Sequence, residues 1–413
     1  MHWFYWLLPA IFFIYGFFQR VAPSVLVGDL MRNFEIGGAT IGNISAIYYY
    51  TYAGVQVPAG LLLDRFQPKL ILGGAATICA IGSYVFAYAG SIFELYIGRL
   101  LIGLGAGFAF VGALKIAAIW FPPRQFSYVT GLTFSLGLVG GLLGQAPLAI
   151  LTSQFGWRFT MGISTIIILA LAFLIIGFIP AKNMDMGKNP KGFTVWKNLR
   201  LILQTPPIWV LAVSGGGMAA IITSFTGLWA VPFFIQVKEV SSSAAAGLAS
   251  IVFVGTIIGA PLAGFFSDRI KKKKPVILFA AWLVLIDLVL IIYVNFFVQL
   301  GFYILLLILG LGLGCVIIIY AIARTYSPPG AEGTTMAFVN MLVISLGAIF
   351  QPIVGWLLDL NWNGDMLDGV RIYSLEAYFV AFSSLVLVSF ATLLCALIIR
   401  EPKSIYNFVK PSN

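Results

Sequence analysis

The chain has 413 residues, of which 61% are hydrophobic and only 9% charged, with a formal net charge of +10. Soluble proteins average roughly 25% charged residues, so composition excludes a soluble globular protein and points to an integral membrane protein. The positive balance does not indicate a nucleic-acid partner, because the Lys and Arg residues sit in short gaps between apolar runs, the pattern that orients a chain in a bilayer.

A spanning helix needs about twenty mostly apolar residues. Twelve runs qualify, at 3–29, 41–63, 69–89, 92–120, 127–150, 158–180, 207–235, 244–266, 275–296, 300–324, 334–358 and 374–399. The first begins at Trp3 with no basic segment before it and reads as a retained helix rather than a cleaved signal peptide. One gap is longer than the rest: 182–206 carries Lys182, Lys188, Lys191, Lys197 and Arg200 with Pro190 and Pro206, and reads as a hydrophilic linker. The expected fold is an all-α polytopic membrane protein of 12 transmembrane helices, with a six-helix bundle at 1–181, the linker at 182–206 and a second bundle at 207–413. With the N-terminus in the cytoplasm, seventeen Lys and Arg fall on the cytoplasmic side and four (Arg32, Arg158, Lys238 and Arg371) on the other. That bias predicts cytoplasmic termini, in a bacterial inner membrane. Cys79, Cys315 and Cys395 lie inside apolar runs, and His2 is the only histidine, so no metal or cofactor is expected.

The second run ends in GLLLDRFQPK, Gly60 to Lys69, and the eighth ends similarly in Gly264, Asp268, Arg269 and Lys271 to Lys274. In both the Asp follows the Gly by four residues, about one helical turn. Asp64 and Asp268 are 204 residues apart, Pro123 and Pro329 are 206, and Pro147 and Pro352 are 205. Three markers at one offset predict a duplicated, pseudo-symmetric chain whose halves run parallel in the membrane.

With these features the chain resembles the major facilitator superfamily over essentially its full length. The signature G-x-x-x-D-R stands between the second and third helices and again between the eighth and ninth, although Gln67 and Pro68 depart from the family pattern in the first copy. The resemblance implies that Asp64, Arg65, Asp268 and Arg269 latch the cytoplasmic side by meeting helix N-termini of the opposite half. Arg99 with Gly103, Gly105 and Gly107 looks like the family's helix-four motif; Gly137, Gly141 and Gly144 match part of a glycine motif of antiporters, with Leu142 where a Pro is usual. A narrower likeness is to the anion:cation symporter branch: Arg20 and Ser24, and the stretch from Arg99 through Lys115 to Pro122, stand at matching spacing. Gln19 and Ala106 stand where many of those symporters carry carboxylates, so the likeness implies an anionic substrate without that branch's proton carriers.

Ionisable groups deep in a membrane cost about 2.5–3.5 kcal/mol on insertion scales and are functional candidates by default. Arg20 is the foremost, a planar fork suited to a carboxylate or phosphate; a structural pair with Glu94 or Asp29 is the other reading. Gln19, Tyr15 and Lys115 join it as candidate substrate contacts. Tyr48, Tyr52 and Gln56 follow one another at i, i+4, i+8 and share a helix face. Trp229, Tyr320 and Asn340 are candidates from the second half, each with packing as the plainer alternative. Arg99 and Asp287 complete the coupling and gating set with the four residues of the Asp–Arg pairs; Asp287 either pairs with a neighbour or holds a proton.

The expected activity is secondary transport of a small solute by alternating access, as proton-coupled uptake of an anionic or zwitterionic nutrient such as an organic acid, amino acid or short peptide. The expected partners are that solute, a proton or other coupling ion, and lipid, with the chain acting as a monomer. Two alternatives stand: proton-antiport export of drugs or metabolites, and a non-transporting receptor. No nucleophile constellation, metal spacing or phosphate-binding loop suggests an enzyme.

Overall fold

The computed structural model describes residues 2–180, 199–294, 299–327, 332–399 and 401. Twelve helical spans run through them. The first six are α1 (His2–Phe34), α2 (Gly38–Arg65), α3 (Pro68–Ala87), α4 (Ile92–Trp120), α5 (Arg124–Phe155) and α6 (Trp157–Phe178). The second six are α7 (Pro206–Lys238), α8 (Ser242–Ile270), α9 (Lys274–Tyr293), α10 (Gln299–Tyr326), α11 (Glu332–Leu360) and α12 (Leu375–Ile398). Each corresponds to one expected apolar run. Eleven of them are long and apolar enough to cross a bilayer. The other, α2, has the length at 28 residues, but its tyrosines, Asn43 and Gln56 make it more polar. The expected linker lies outside the described residues as far as position 198, as do Pro329, Arg400, Lys403, Lys410 and the side chain of Asp64.

The pairing of helices repeats at an interval of six. α1 packs on α5, α2 on α4, and α3 on α4 and α6; correspondingly α7 packs on α11, α8 on α10, and α9 on α10 and α12. Small residues make these contacts close: a Cβ on Gly255 of α8 would lie 2.9 Å from Gly310 Cα of α10. Between apolar helices in lipid, where burial from water supplies no drive, such packing is the cohesive force. Outward-facing surfaces are apolar, with Phe173 and Leu387 each 68% exposed, as lipid contact requires.

The two sets of six meet through α1 with α7, α2 with α11, and α5 with α8. These contacts gather at the face where α2 begins and α11 ends. There the backbones nearly touch: a Cβ on Gly38 would lie 2.8 Å from Gly355 O, and one on Gly42 2.5 Å from Gln351 O. The opposite ends of α2 and α8 make no such contact. A Cβ on Gly60 or Gly264 would meet nothing within 4 Å, and Asp268, Arg65 and Arg269 are exposed. The molecule is therefore sealed at one face and parted at the face that carries the Asp–Arg signatures. The cytoplasmic latch implied for Asp268 is not made in this conformation: it has no hydrogen bond or ion pair among the described residues.

Between α11 and α12 lies a feature the sequence reading did not anticipate, a hairpin of β1 (Met366–Leu367) and β2 (Val370–Arg371). Its turn residues Asp368 and Gly369 both have positive φ, 48° and 77°, which an Asp-Gly pair adopts readily. Arg32 Nε donates to Asp368 O at 2.8 Å and ties the hairpin to α1.

Candidate functional site

Arg20 lies just past the middle of α1 and is half-buried between the two halves. One helical turn earlier on α1, Phe17 places its ring 4.2 Å from the guanidinium carbon. From α2 come Tyr52 at 4.7 Å, Tyr49 at 5.5 Å and Tyr48 at 5.9 Å. Tyr48 and Tyr52 stack with centroids 6.0 Å apart, because positions four apart on a helix lie one above the other. Each ring face over a cation contributes about 0.5–2 kcal/mol, more when desolvated. The rings do not neutralise the charge, and Arg20 Nε is buried without a hydrogen bond. The two carboxylates that could pair with it, Asp29 and Glu94, are engaged elsewhere. Asp29 pairs with Arg32 at 3.5 Å, and Glu94 accepts from Gly90 N at 2.6 Å at the start of α4. Among the described residues Arg20 has no carboxylate partner.

Facing this cage from the second half, Tyr320 of α10 is within electrostatic reach of Arg20 and Tyr52. Its hydroxyl donates to Asn340 Oδ1 of α11 at 2.9 Å. That bond orients the Asn340 amide and leaves its Nδ2 to donate elsewhere. The arrangement offers one cation, an aromatic wall, and hydroxyl and amide groups opposite: a set that can hold a small organic anion by its charged end.

Several candidates turn away from this space. Gln19 is fully buried and donates to Tyr15 Oη at 2.6 Å and to Ser83 and Ser164 Oγ at 3.3 Å each, knotting α1 to α3 and α6. Tyr15 completes the knot, with its hydroxyl 2.6 Å from Ser83 Oγ. Both therefore serve the interior of the first bundle, not the space around Arg20. Gln56 reaches α4 where its helix is interrupted between Ala106 and Ala109, donating to Gly107 O at 3.3 Å. Arg99 is fully buried and donates to Gln19 O at 2.7 Å, with its guanidinium carbon 4.8 Å from the Tyr48 ring. It braces the back of the cage and does not face the opening. Lys115 is half-buried on α4. Asp287 is buried in α9, which packs on α8, α10 and α12 away from the seam, and neither carboxylate oxygen has a hydrogen-bond partner among the described side chains.

Trp229 belongs to the seal. It is fully buried, and its Nε1 donates to Gln351 O at 3.0 Å. It ends a nine-residue π-helical stretch in α7, Ile221–Trp229. A π turn leaves carbonyls out of the usual ladder, and two of these are taken up by glutamines. Gln351 Nε2 of α11 donates to Thr223 O at 2.8 Å, and Gln145 Nε2, at the break in α5, donates to Thr226 O at 3.2 Å. Gln145 lies in the first half, so its bond crosses the interface; Ser24 of α1 reaches its Oε1 at 3.4 Å. Pro147 and Pro352, near these glutamines, marked the duplication in the sequence, but the glutamines' place at the seam was not legible there. Above this layer, on the sealed face, a vestibule of about 470 Å³ is lined by Ser24, Asp29, Arg32, Trp229, Gln236 and Tyr373 among others.

A sequence profile described as Major Facilitator Superfamily matches residues 7–352 and 237–409. The chain is 32% identical over 166 residues to the uncharacterized transporter YybO of Bacillus subtilis (strain 168), covering 40% of this chain and 35% of that one. It is 22% identical over 429 residues to the probable galactarate/D-glucarate transporter GudP of Escherichia coli (strain K12), covering 93% of each. The match to YybO thus spans about a third of that protein's length, and the match to GudP nearly all of it. Among solved structures, a bacterial homolog of the human lysosomal transporter Spinster, in an inward-facing and unoccupied conformation, superposes with a TM-score of 0.73 at 16% identity, covering 96% of this chain and 95% of that one.

Proposed function

The chain belongs to the Major Facilitator Superfamily, and we propose that it is a secondary transporter whose solute is a small organic anion, held by Arg20 between the halves near the midplane. The observation that carries this reading is the half-buried guanidinium in an aromatic cage with no carboxylate partner among the described residues. A cation left uncompensated in a membrane is costly, and an incoming carboxylate offsets that cost with a charge-assisted, bidentate contact. The relative named for galactarate and D-glucarate, both sugar acids, supports the same class.

The basic loops support cytoplasmic termini, which makes the parted face the inner one and this conformation inward-open. Residues 1–181 and 207–413 are then the two rocking units and 182–206 the linker between them. Import coupled to protons is the energetic mode we propose, with the chain acting as a monomer. The antiport reading draws little support from the α5 glycines, which serve packing: a Cβ on Gly141 would lie 3.4 Å from the Phe253 ring of α8.

The test is solute-induced thermal stabilisation of the purified chain with monocarboxylates, sugar acids, amino acids and neutral sugars, followed by uptake into proteoliposomes with and without a pH gradient. A bound ligand at 100 times its Kd stabilises by about 2.7 kcal/mol. A carboxylate that raises Tm in the parent and not in Arg20→Ala supports the proposal. Stabilisation by neutral solutes alone, unchanged in Arg20→Ala, overturns it.

A further inference from the structure

One carboxylate at the sealed face belongs to one half and is bonded to the other. Asp359 lies in the last turn of α11, where the negative end of its own helix disfavours it. Its surroundings resolve the misfit. Oδ1 accepts from Gly38 N at 2.8 Å and Oδ2 from Ala39 N at 2.8 Å. These are the first amides of α2, which have no partner within their helix and carry its positive end. The residue before them, Gly37, supplies no side-chain cap. The cap of α2 therefore comes from Asp359, in the opposite half.

Two further groups seat the carboxylate. Tyr373 Oη donates to Oδ1 at 2.7 Å, and Arg371 Nη1 lies 3.2 Å from the same atom. Burial, then the bond to Asp359 and its charge, push the Tyr373 hydroxyl's pKa up, so it remains a donor. Arg371 ends β2, so the hairpin is what aims it. Glycine at position 37 is needed for the approach, since a Cβ there would lie 2.6 Å from Asp359 Oδ2.

We propose that Asp359 is the latch of the sealed face: its carboxylate caps α2 across the interface, and opening that face breaks both amide bonds together. The proposal rests on the alternating-access reading above and concerns the face opposite the Asp64 and Asp268 signatures. Once released, the carboxylate and the two amides meet water in the vestibule, so the latch biases the equilibrium without locking it.

The test uses the full-length chain in proteoliposomes and two added cysteines. Val21, 2% exposed, lies between Gly144 of its own half and Gly227 of α7 across the seam, so it loses part of its cover when the face opens. Gly60 stands at the parted face. Reaction with a membrane-impermeant maleimide is timed at Val21→Cys and, separately, at Gly60→Cys, with the chain carrying only its native cysteines as background. Asp359→Asn, which keeps the shape and removes the charge, is expected to speed labelling at Val21→Cys roughly tenfold, the scale of a helix-terminus charge interaction, and to slow it at Gly60→Cys. Unchanged rates at both positions overturn the proposal. So does a rise at Val21→Cys with no fall at Gly60→Cys, which reports local loosening only. If Asp359→Asn does not fold, Arg371→Gln weakens the same seat and carries the same expectation. Uptake is measured alongside: a chain that moves no solute while the two rates still shift in opposite directions keeps the latch and overturns the transport reading instead.

Discussion

At the scale of residues, the two membrane arginines of the first half do opposite work. Arg99 donates to the Gln19 and Ser45 carbonyls, Arg20 to no carbonyl among the described residues, and the Nε of each is unbonded. Their substitutions should therefore separate. Arg99→Ala removes charged hydrogen bonds worth about 1.5–3 kcal/mol each and is expected to lower the ligand-free Tm. Arg20→Ala removes an uncompensated cation and is expected to hold or raise the ligand-free Tm while abolishing the ligand-induced shift. Thermal unfolding with and without the best carboxylate checks both. The sequence made part of this legible. Tyr48 and Tyr52 share a face by spacing, and they do flank Arg20 together. Gln19 was grouped with Arg20 because it is adjacent in the chain, yet neighbours on a helix point about 100° apart. The same geometry that pairs Gln19 with Tyr15 at i−4 sends both toward α3 and α6. Whether a polar side chain finds an internal partner depends on helices 64 and 145 residues away, and one-dimensional spacing does not contain that.

At the scale of elements, helix boundaries were readable and helix irregularities were not. Twelve apolar runs give twelve spans, because length and hydropathy decide insertion. Nothing in IITSFTGLW announces a π-helical register, since the widened turn is supported by amides from α5 and α11 rather than by its own residues. Those two glutamines should behave differently when replaced. Gln351→Leu breaks a bond within one half and is expected to lower stability by about 0.5–1.5 kcal/mol. Gln145→Leu breaks a bond between halves, and by the same magnitude is expected to change solute exchange two- to tenfold with a smaller effect on Tm. Counterflow rates set beside melting curves for both variants check this; equal behaviour of the two would mean that the crossing bond has no gating role. Asp359 escaped the sequence reading for a related reason: its partners on α2 stand 320 and 321 positions earlier, and an Asp near a helix end otherwise reads as a solvated terminus.

At the scale of the whole molecule, the duplication was legible from three markers at one offset, and it reappears in the sixfold shift of helix pairings. The conformation was not, because under the alternating-access reading one sequence must encode both the sealed and the parted arrangement of each face, with a free-energy difference small against the total. The lone guanidinium between the halves has an electrical consequence. On the proposal that Arg20 holds the solute, an empty carrier has one more positive charge at its centre than a carrier loaded with a monoanion alone. Membrane voltage then acts more strongly on the first. Moving one charge through the whole field is worth about 2.3 kcal/mol per 100 mV, and the shift of Arg20 between faces samples some fraction of it. In the inward-open, importing orientation proposed above, with the cytoplasm negative, the field draws the empty carrier toward the arrangement seen here, open to the side where solute would be released. An interior-negative potential set by potassium and valinomycin is then expected to slow the empty carrier's return, and hence net uptake of a monoanion, more than it changes one-for-one exchange. An equal response of both processes to voltage would show that the central charge is compensated.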